Sequence, residues 1–267
     1  MEYYETIVKS RMSCRNFAKK PVEEAKIEAL RKFFCEEKPL VDGIVADLKF
    51  YNGNVYEKLG KSVGYHGYCI KAPAYAVLFS AEGEHYRENA GYLTQGLSLE
   101  MTELGLASCW QTINDAAAAK EALGDTSDLA VACVVAFGYR AAGDDQKKAP
   151  KISLDALTDS KYFDNDLDTD MLYPELEDSL RAVAHAQSFL NRQPYRMIVD
   201  DEFVSLIGIK DAETNESDEH LNYGIAMFNF YAVMAAVRPN APRWSFEAPD
   251  HDLRLPDGTV FVAKCRI

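Results

Sequence analysis

Apolar positions in this chain recur at two periods, and the alternation between them lays out the elements. Ile27, Leu30 and Phe34 follow helical spacing and predict a helix through about Glu36, with Pro21 suited to its first turn. Leu93, Leu97, Met101 and Leu104 lie on one helical face. They predict a helix over 85–104 that stops at Gly105. Leu48–Tyr51 reads as a short strand, and Ala74–Phe79 and Leu129–Phe137 are continuous apolar runs suited to buried strands. Lys58–Tyr68 holds Gly60, Gly64 and Gly67 and reads as a loop or irregular helix. It is either mobile or shaped for close approach to a flat ligand.

The pattern then lapses. Asp155–Asp178 carries nine acidic residues and one lysine, with no clear period before Leu172, and reads as a surface linker. Periodicity returns at Pro174, where Leu176, Leu180, Val183 and Ala184 share a helical face. Residues 196–199 and 204–209 are strand candidates, 211–219 a polar loop, 221–237 an apolar helix and 259–266 a final strand. Gly224, Phe230 and Met234 of the late helix echo Gly91, Leu97 and Met101 at an offset of 133, a weak internal repeat.

Composition narrows the partners. The 267 residues carry 29 basic and 42 acidic side chains, a net charge of −13. Such a chain is a poor general binder of nucleic acid or of anionic membrane. It shows no apolar run of membrane-spanning length and no signal-peptide pattern. The six scattered cysteines form no CxxC and read as reduced thiols, which points to the cytoplasm, and no metal site is expected. Basic charge is nevertheless concentrated in residues 1–32, with eight Lys/Arg against five Glu.

Within that segment lies Arg11-Met12-Ser13-Cys14-Arg15-Asn16-Phe17. Arg11, Ser13 and Arg15 supply two guanidinium groups and a hydroxyl within five residues, enough donors for one phosphate. By itself the pattern reads first as a solvated basic helix end, since Arg-x-Ser-x-Arg arises often by chance. Arg-x-Ser-x-Arg-x-Phe close to the first residue, followed by Pro21-Val22 and a helix, resembles the opening of the nitroreductase family. The resemblance implies that the motif holds the phosphate and part of the ribityl chain of FMN.

Further segments extend the resemblance. Gly91-Tyr92 through Leu104-Gly105-Leu106-Ala107-Ser108-Cys109-Trp110 is similar to the family's central helix and the turn after it. The backbone of Gln111, Thr112 and Ile113 is then expected near the isoalloxazine ring, although Thr-Ile replaces the Glu-Gly of many members. Trp110 itself reads as a core residue. The run 129–137 resembles an edge strand after which basic residues return to the phosphate. Lys147, Lys148 and Lys151 are candidates, with Lys151 matching best, or else a solvated loop lysine.

The family's Pro-Ser-x-x-Asn-x-Gln-Pro-Trp segment is missing near Phe34–Gly43. A likeness of it appears at Gln187-Ser188-Phe189-Leu190-Asn191-Arg192-Gln193-Pro194-Tyr195, where Ser188 and Asn191 are the expected flavin contacts. The phosphate motif thus stands early and the Ser…Asn segment late. This resembles the tandem branch called "putative TM nitroreductases", in which one chain imitates the usual dimer.

That resemblance implies an α+β fold, a mainly antiparallel sheet flanked by helices, with two related halves forming an intrachain pseudo-dimer. The expected division is 1–154, an acidic linker 155–173, and 174–267. The implied activity is hydride transfer from NAD(P)H through FMN to a nitroaromatic, quinone or similar acceptor, by a ping-pong route, in a monomer. No residue is expected as a general acid. FMN storage or sensing without turnover is the alternative.

Overall fold

The computed structural model describes residues 2–238 and 243–267. The chain divides into two compact bodies, Ser10–Lys148 in one and Met1–Lys9 with Ala149–Ile267 in the other. The division therefore falls a few residues before the expected 154, and the first nine residues belong with the later body.

In the body formed by Ser10–Lys148, helix α1 is Glu24–Glu36 and strand β1 is Ala46–Asn52. Then come α2 (Val55–Leu59), β2 (Ala74–Ser80), α3 (Tyr86–Glu103), β3 (Ala107–Gln111), α4 (Ala116–Leu123) and β4 (Ala130–Gly138). The sheet order is β1-β2-β4-β3, antiparallel throughout. Every residue of β2 is buried, as its unbroken apolar run requires. Tyr75, Val77 and Phe79 of β2 pack with Val134 and Ala136 of β4 in one apolar cluster. A fully buried side chain of this size stabilises the fold by about 1.5–3 kcal/mol.

Three expectations change here. Residues 107–111 are strand β3 rather than a turn, and β3 pairs with β4, so β4 is an interior strand and not an edge. Ala-Ser-Cys-Trp-Gln has little strand propensity, and the pairing itself makes it a strand. Helix α4 was not anticipated, although its signals are local. The Asp115 carboxylate accepts from the Ala118 N–H at 2.9 Å, and Gly124 ends the helix at φ +69°. Helix α3 ends near Gly105, as expected, at φ +72°. It is buried on more than one face, however. Glu88, Asn89, Thr94, Gln95 and Ser98 are buried along with its leucines.

The body formed by Met1–Lys9 and Ala149–Ile267 starts with a π-helical turn at Tyr4–Val8. It continues through α5 (Leu154–Leu157), β5 (Thr158–Ser160), α6 (Pro174–Ala184), β6 (Tyr195–Val199) and β7 (Phe203–Ile209). It closes with α7 (Glu216–Ala235), β8 (Trp244–Ser245) and β9 (Thr259–Arg266). Its sheet order is β5-β6-β7-β9-β8, antiparallel except where β5 runs parallel to β6.

The acidic stretch is thus more than a linker. Leu157, Thr158 and Asp159 are buried, and the Asp159 carboxylate accepts from the Arg196 guanidinium of β6. A three-residue edge strand leaves no readable period, so the sequence concealed it. Helix α7 also starts inside the expected polar loop. The Asn215 side chain accepts from the Asp218 N–H at 2.8 Å, and the acidic first turn suits a helix N-terminus.

The two bodies share one winding. Elements α1-β1-β2-α3-β3-β4 and α6-β6-β7-α7-β8-β9 give the orders β1-β2-β4-β3 and β6-β7-β9-β8. Each long central pairing carries one register shift, at Leu78/Phe79 and at Leu206/Ile207. The fold is α+β, antiparallel sheets flanked by helices. Among the described residues no helix is long and apolar enough to cross a membrane.

Candidate functional site

The arginine–serine motif lies along the edge of a sheet rather than at a helix end. Ser13 pairs in parallel with Ser108 of β3, and the Cys14 N–H donates to the Ser108 carbonyl at 2.9 Å. Farther on, the Ala18 N–H donates to the Tyr139 carbonyl at 2.8 Å and the Ala141 N–H to Asn16 at 3.0 Å. These bonds take up backbone groups that an open edge would expose. The Gln146 amide donates to the Ser13 carbonyl at 2.6 Å.

Three motif side chains influence one buried thiol. The Cys109 thiol of β3 is buried, and burial pushes it above the ordinary thiol range. The charges of Arg15 and Arg11 and a hydrogen bond from the Ser13 side chain oppose that rise. Arg15 is exposed, whereas Arg11 is only 8% exposed and its Nη1 has no hydrogen-bond partner among the described residues. Burial brings the Arg11 guanidinium down to about 10, against an opposing influence of Cys109. A buried cation with an open N–H group is costly unless an anion completes it. A guanidinium with an open N–H group suits an oxyanion such as a carboxylate or phosphate.

A further basic residue stands here that the sequence reading passed over. Arg140 donates to the Asp144 carboxylate at 2.6 Å, to the Gln146 carbonyl at 3.0 Å and to the Met12 sulfur at 3.1 Å. Its place directly after β4, in Gly138-Tyr139-Arg140, was the available signal. Lys147 and Lys148 are exposed.

Gln111, Thr112 and Ile113 have structural partners. The Gln111 amide accepts from the Ile70 N–H at 2.9 Å and donates to the carbonyls of Cys109 and Trp110 at 3.1 and 3.0 Å. The Thr112 carbonyl accepts from the Gly64 N–H at 2.7 Å, and Ile113 pairs with Val63. The glycine loop is therefore pinned. Gly64 sits at φ +100°, and a Cβ there would lie 2.3 Å from the Tyr68 carbonyl. Trp110 is half-buried, with an indole N–H that finds no partner among the described residues.

In the later body, Ser188 and Asn191 share a tight loop. The Ser188 hydroxyl accepts from the Gln193 N–H at 2.8 Å. The Asn191 side chain accepts from Lys151 Nζ at 2.9 Å and donates to the Pro150 carbonyl at 2.7 Å. Lys151 Nζ also donates to the Ala186 carbonyl at 2.8 Å. Two predicted residues, Lys151 and Asn191, are thus brought together. Leu190, Asn191 and Gln193 have φ of +48°, +58° and +50°. Left-handed non-glycine residues cost of order 1–3 kcal/mol each, and such strain clusters at ligand loops.

A family model described as "Putative TM nitroreductase" matches residues 2–234. The chain belongs to this family. Among solved structures it is similar to a "putative nitroreductase" of Thermotoga maritima at 14% identity, covering 99% of this chain and 93% of that one with a TM-score of 0.64. It also resembles an FMN-dependent nitroreductase of Clostridium difficile at 22% identity, covering 63% of this chain and 97% of that one with a TM-score of 0.48. A nitroreductase of Bacteroides fragilis with bound FMN matches at 22% identity, covering 57% and 96% with a TM-score of 0.48. No curated protein matches this chain. The Thermotoga likeness, over nearly the whole of both chains, is one of fold.

Proposed function

We propose that this nitroreductase-family chain is an FMN-binding oxidoreductase. It would pass hydride from NAD(P)H to a nitroaromatic, quinone or similar electron-poor acceptor by a ping-pong route. The single observation behind this reading is the buried Arg11 guanidinium with its open Nη1. Arg11, Ser13 and Arg15 would hold the flavin phosphate, and Arg140 could join them by leaving Asp144. The peptide groups of Gln111, Thr112 and Ile113 would face the ring, since the Gln111 amide is already engaged with backbone. Ser188 and Asn191 would offer donors and acceptors to the flavin's amide-like edge. FMN, when bound, supplies the two-electron chemistry, and the residues bind it, orient it and exclude water.

The purified protein is expected to be yellow and to release FMN rather than FAD, at one per chain, as a monomer in the cytoplasm. NADH or NADPH should bleach it, and a nitroaromatic or quinone should restore its colour. A colourless protein with no affinity for added FMN would overturn the reading. The second reading, FMN storage or sensing without turnover, draws on the absence of a carboxylate at Thr112-Ile113. Bound FMN that neither nicotinamide reduces would favour it.

A further inference from the structure

Helices α3 and α7 each carry a buried asparagine two residues before the glycine of the repeat, Asn89 before Gly91 and Asn222 before Gly224. The Asn89 side-chain oxygen accepts from the Val41 N–H at 3.1 Å, in the loop between α1 and β1. The Asn222 oxygen accepts from the Phe189 N–H at 3.0 Å, in the loop between α6 and β6. In both residues Nδ2 is buried without a partner among the described residues. The same amide, at the same place in each helix, grips the same connection in each body.

The grip also aligns the two loops residue by residue. With Val41 set on Phe189, Leu40 falls on Ser188 and Gly43 falls on Asn191. Gly43 and Asn191 both take left-handed backbone, at φ +87° and +58°. A Cβ at Gly43 would meet nothing within 4 Å. The two loops thus share an anchor and a turn but differ in side-chain chemistry. One offers a hydroxyl and an amide, the other an isobutyl group and a hydrogen. Keeping a buried amide with an unmet donor costs stability, so its value lies in fixing the loop.

We propose that Asn222 is the positioning residue of the Ser188–Asn191 loop, and that loop 38–43, held by Asn89, is the same loop after its ligand groups were lost. Through the Phe189 N–H, Asn222 holds the residues on both sides of the bond, including the strained turn at 190 and 191. The ligand half of this inference rests on the proposed FMN site. The positioning half does not.

The test compares Asn222→Ala, Asn89→Ala and Asn222→Asp. Asp keeps an acceptor for the Phe189 N–H, with a carboxyl group that burial holds protonated in place of the amide. In flavin-free protein, amide hydrogen exchange across 188–193 should quicken in Asn222→Ala and stay at the wild-type rate in Asn222→Asp. In Asn89→Ala the faster exchange should appear across 38–43 instead. With FMN, Asn222→Ala should bind about tenfold or more weakly, a change of about 1.4 kcal/mol. Asn222→Asp and Asn89→Ala should bind within about twofold of wild type. If Asn222→Ala fails to fold, Asn222→Ser, which removes the amide acceptor but keeps a polar side chain, takes its place.

Unchanged exchange across 188–193 in Asn222→Ala would overturn the positioning role, as would fast exchange there in Asn222→Asp. Equal FMN losses in Asn222→Ala and Asn89→Ala would overturn the assignment of a lost ligand loop. A wild-type protein that binds no FMN, yet shows the expected exchange pattern, would refute the proposed function and leave Asn222 as the anchor of its loop.

Discussion

Replacing Arg11 by methionine should change flavin-free and flavin-bound stability in opposite directions. Methionine keeps much of the side chain's apolar length and removes the buried charge with its open Nη1. In the native protein burial pushes that guanidinium well below its ordinary range, to about 10. Each tenfold shift is worth about 1.4 kcal/mol, so burial of the charge costs of the order of 3 kcal/mol at neutral pH. The sign follows from proton counts. Between the native and unfolded values the unfolded chain holds more protons, so stability rises with pH there. Below that window the whole cost is present. After allowing for lost packing, flavin-free Arg11→Met should be roughly 1–3 kcal/mol more stable than wild type in urea unfolding.

FMN should reverse that order. A charge-assisted bond to phosphate is worth about 1.5–3 kcal/mol, so the variant should bind FMN roughly ten- to a hundredfold more weakly. Added ligand stabilises the folded state according to its affinity, so wild type should gain and the variant should not. Lys20→Ala is the control, since Lys20 is paired with Glu23 at 2.6 Å and is well exposed. An Arg11→Met protein that is less stable without flavin and binds FMN as wild type does would refute the reasoning. It would mean that the guanidinium is satisfied by the protein itself.

Lys151→Met removes two bonds that hold the Ser188–Asn191 loop and should cost about 1–3 kcal/mol in chemical denaturation; an unchanged midpoint would mark a solvated lysine. Gly64→Ala should cost at least ~2 kcal/mol, because the new methyl group would strike the Tyr68 carbonyl and the backbone stands at positive φ. A neutral result by thermal unfolding would show that the loop moves aside. Asp125 is held down at about 2, first by Lys49 and then by Ser127. Its stabilisation is present above the ordinary carboxylate value and is lost as pH falls from about 4 to 2. Asp125→Asn should flatten that part of the pH–stability curve, and an unchanged slope would place the acid sensitivity elsewhere.

Several features could be read from local sequence because local forces set them. Apolar spacing gave α1, α3, α6 and α7, and unbroken apolar runs gave β2 and β4, since burial on a helix face or sheet interior demands those residues. Motif spacing singled out Arg11, Ser13 and Arg15, and it singled out Ser188 and Asn191, before any contact was known. The asparagine pair also stands 133 residues apart, although the repeat alone did not single it out.

Other features depend on groups far apart in the chain. Strands β3 and β5 are strands because β4 and β6 offer free edges, and nothing in Ala-Ser-Cys-Trp-Gln or Thr-Asp-Ser demands it. The acidic stretch looked unstructured because its order depends on burying Leu157 and pairing Asp159 with Arg196. The resemblance marked Lys151 as a candidate, and only the fold shows it bonded to Asn191 and to the Ala186 carbonyl. The sequence determined which residues carry donors and charge. Only the tertiary structure decided which of them are desolvated and left open, because desolvation is set by what packs around a group. Arg11 and Arg15 lie four residues apart in one motif, yet one is buried with an open N–H group and the other lies in solvent.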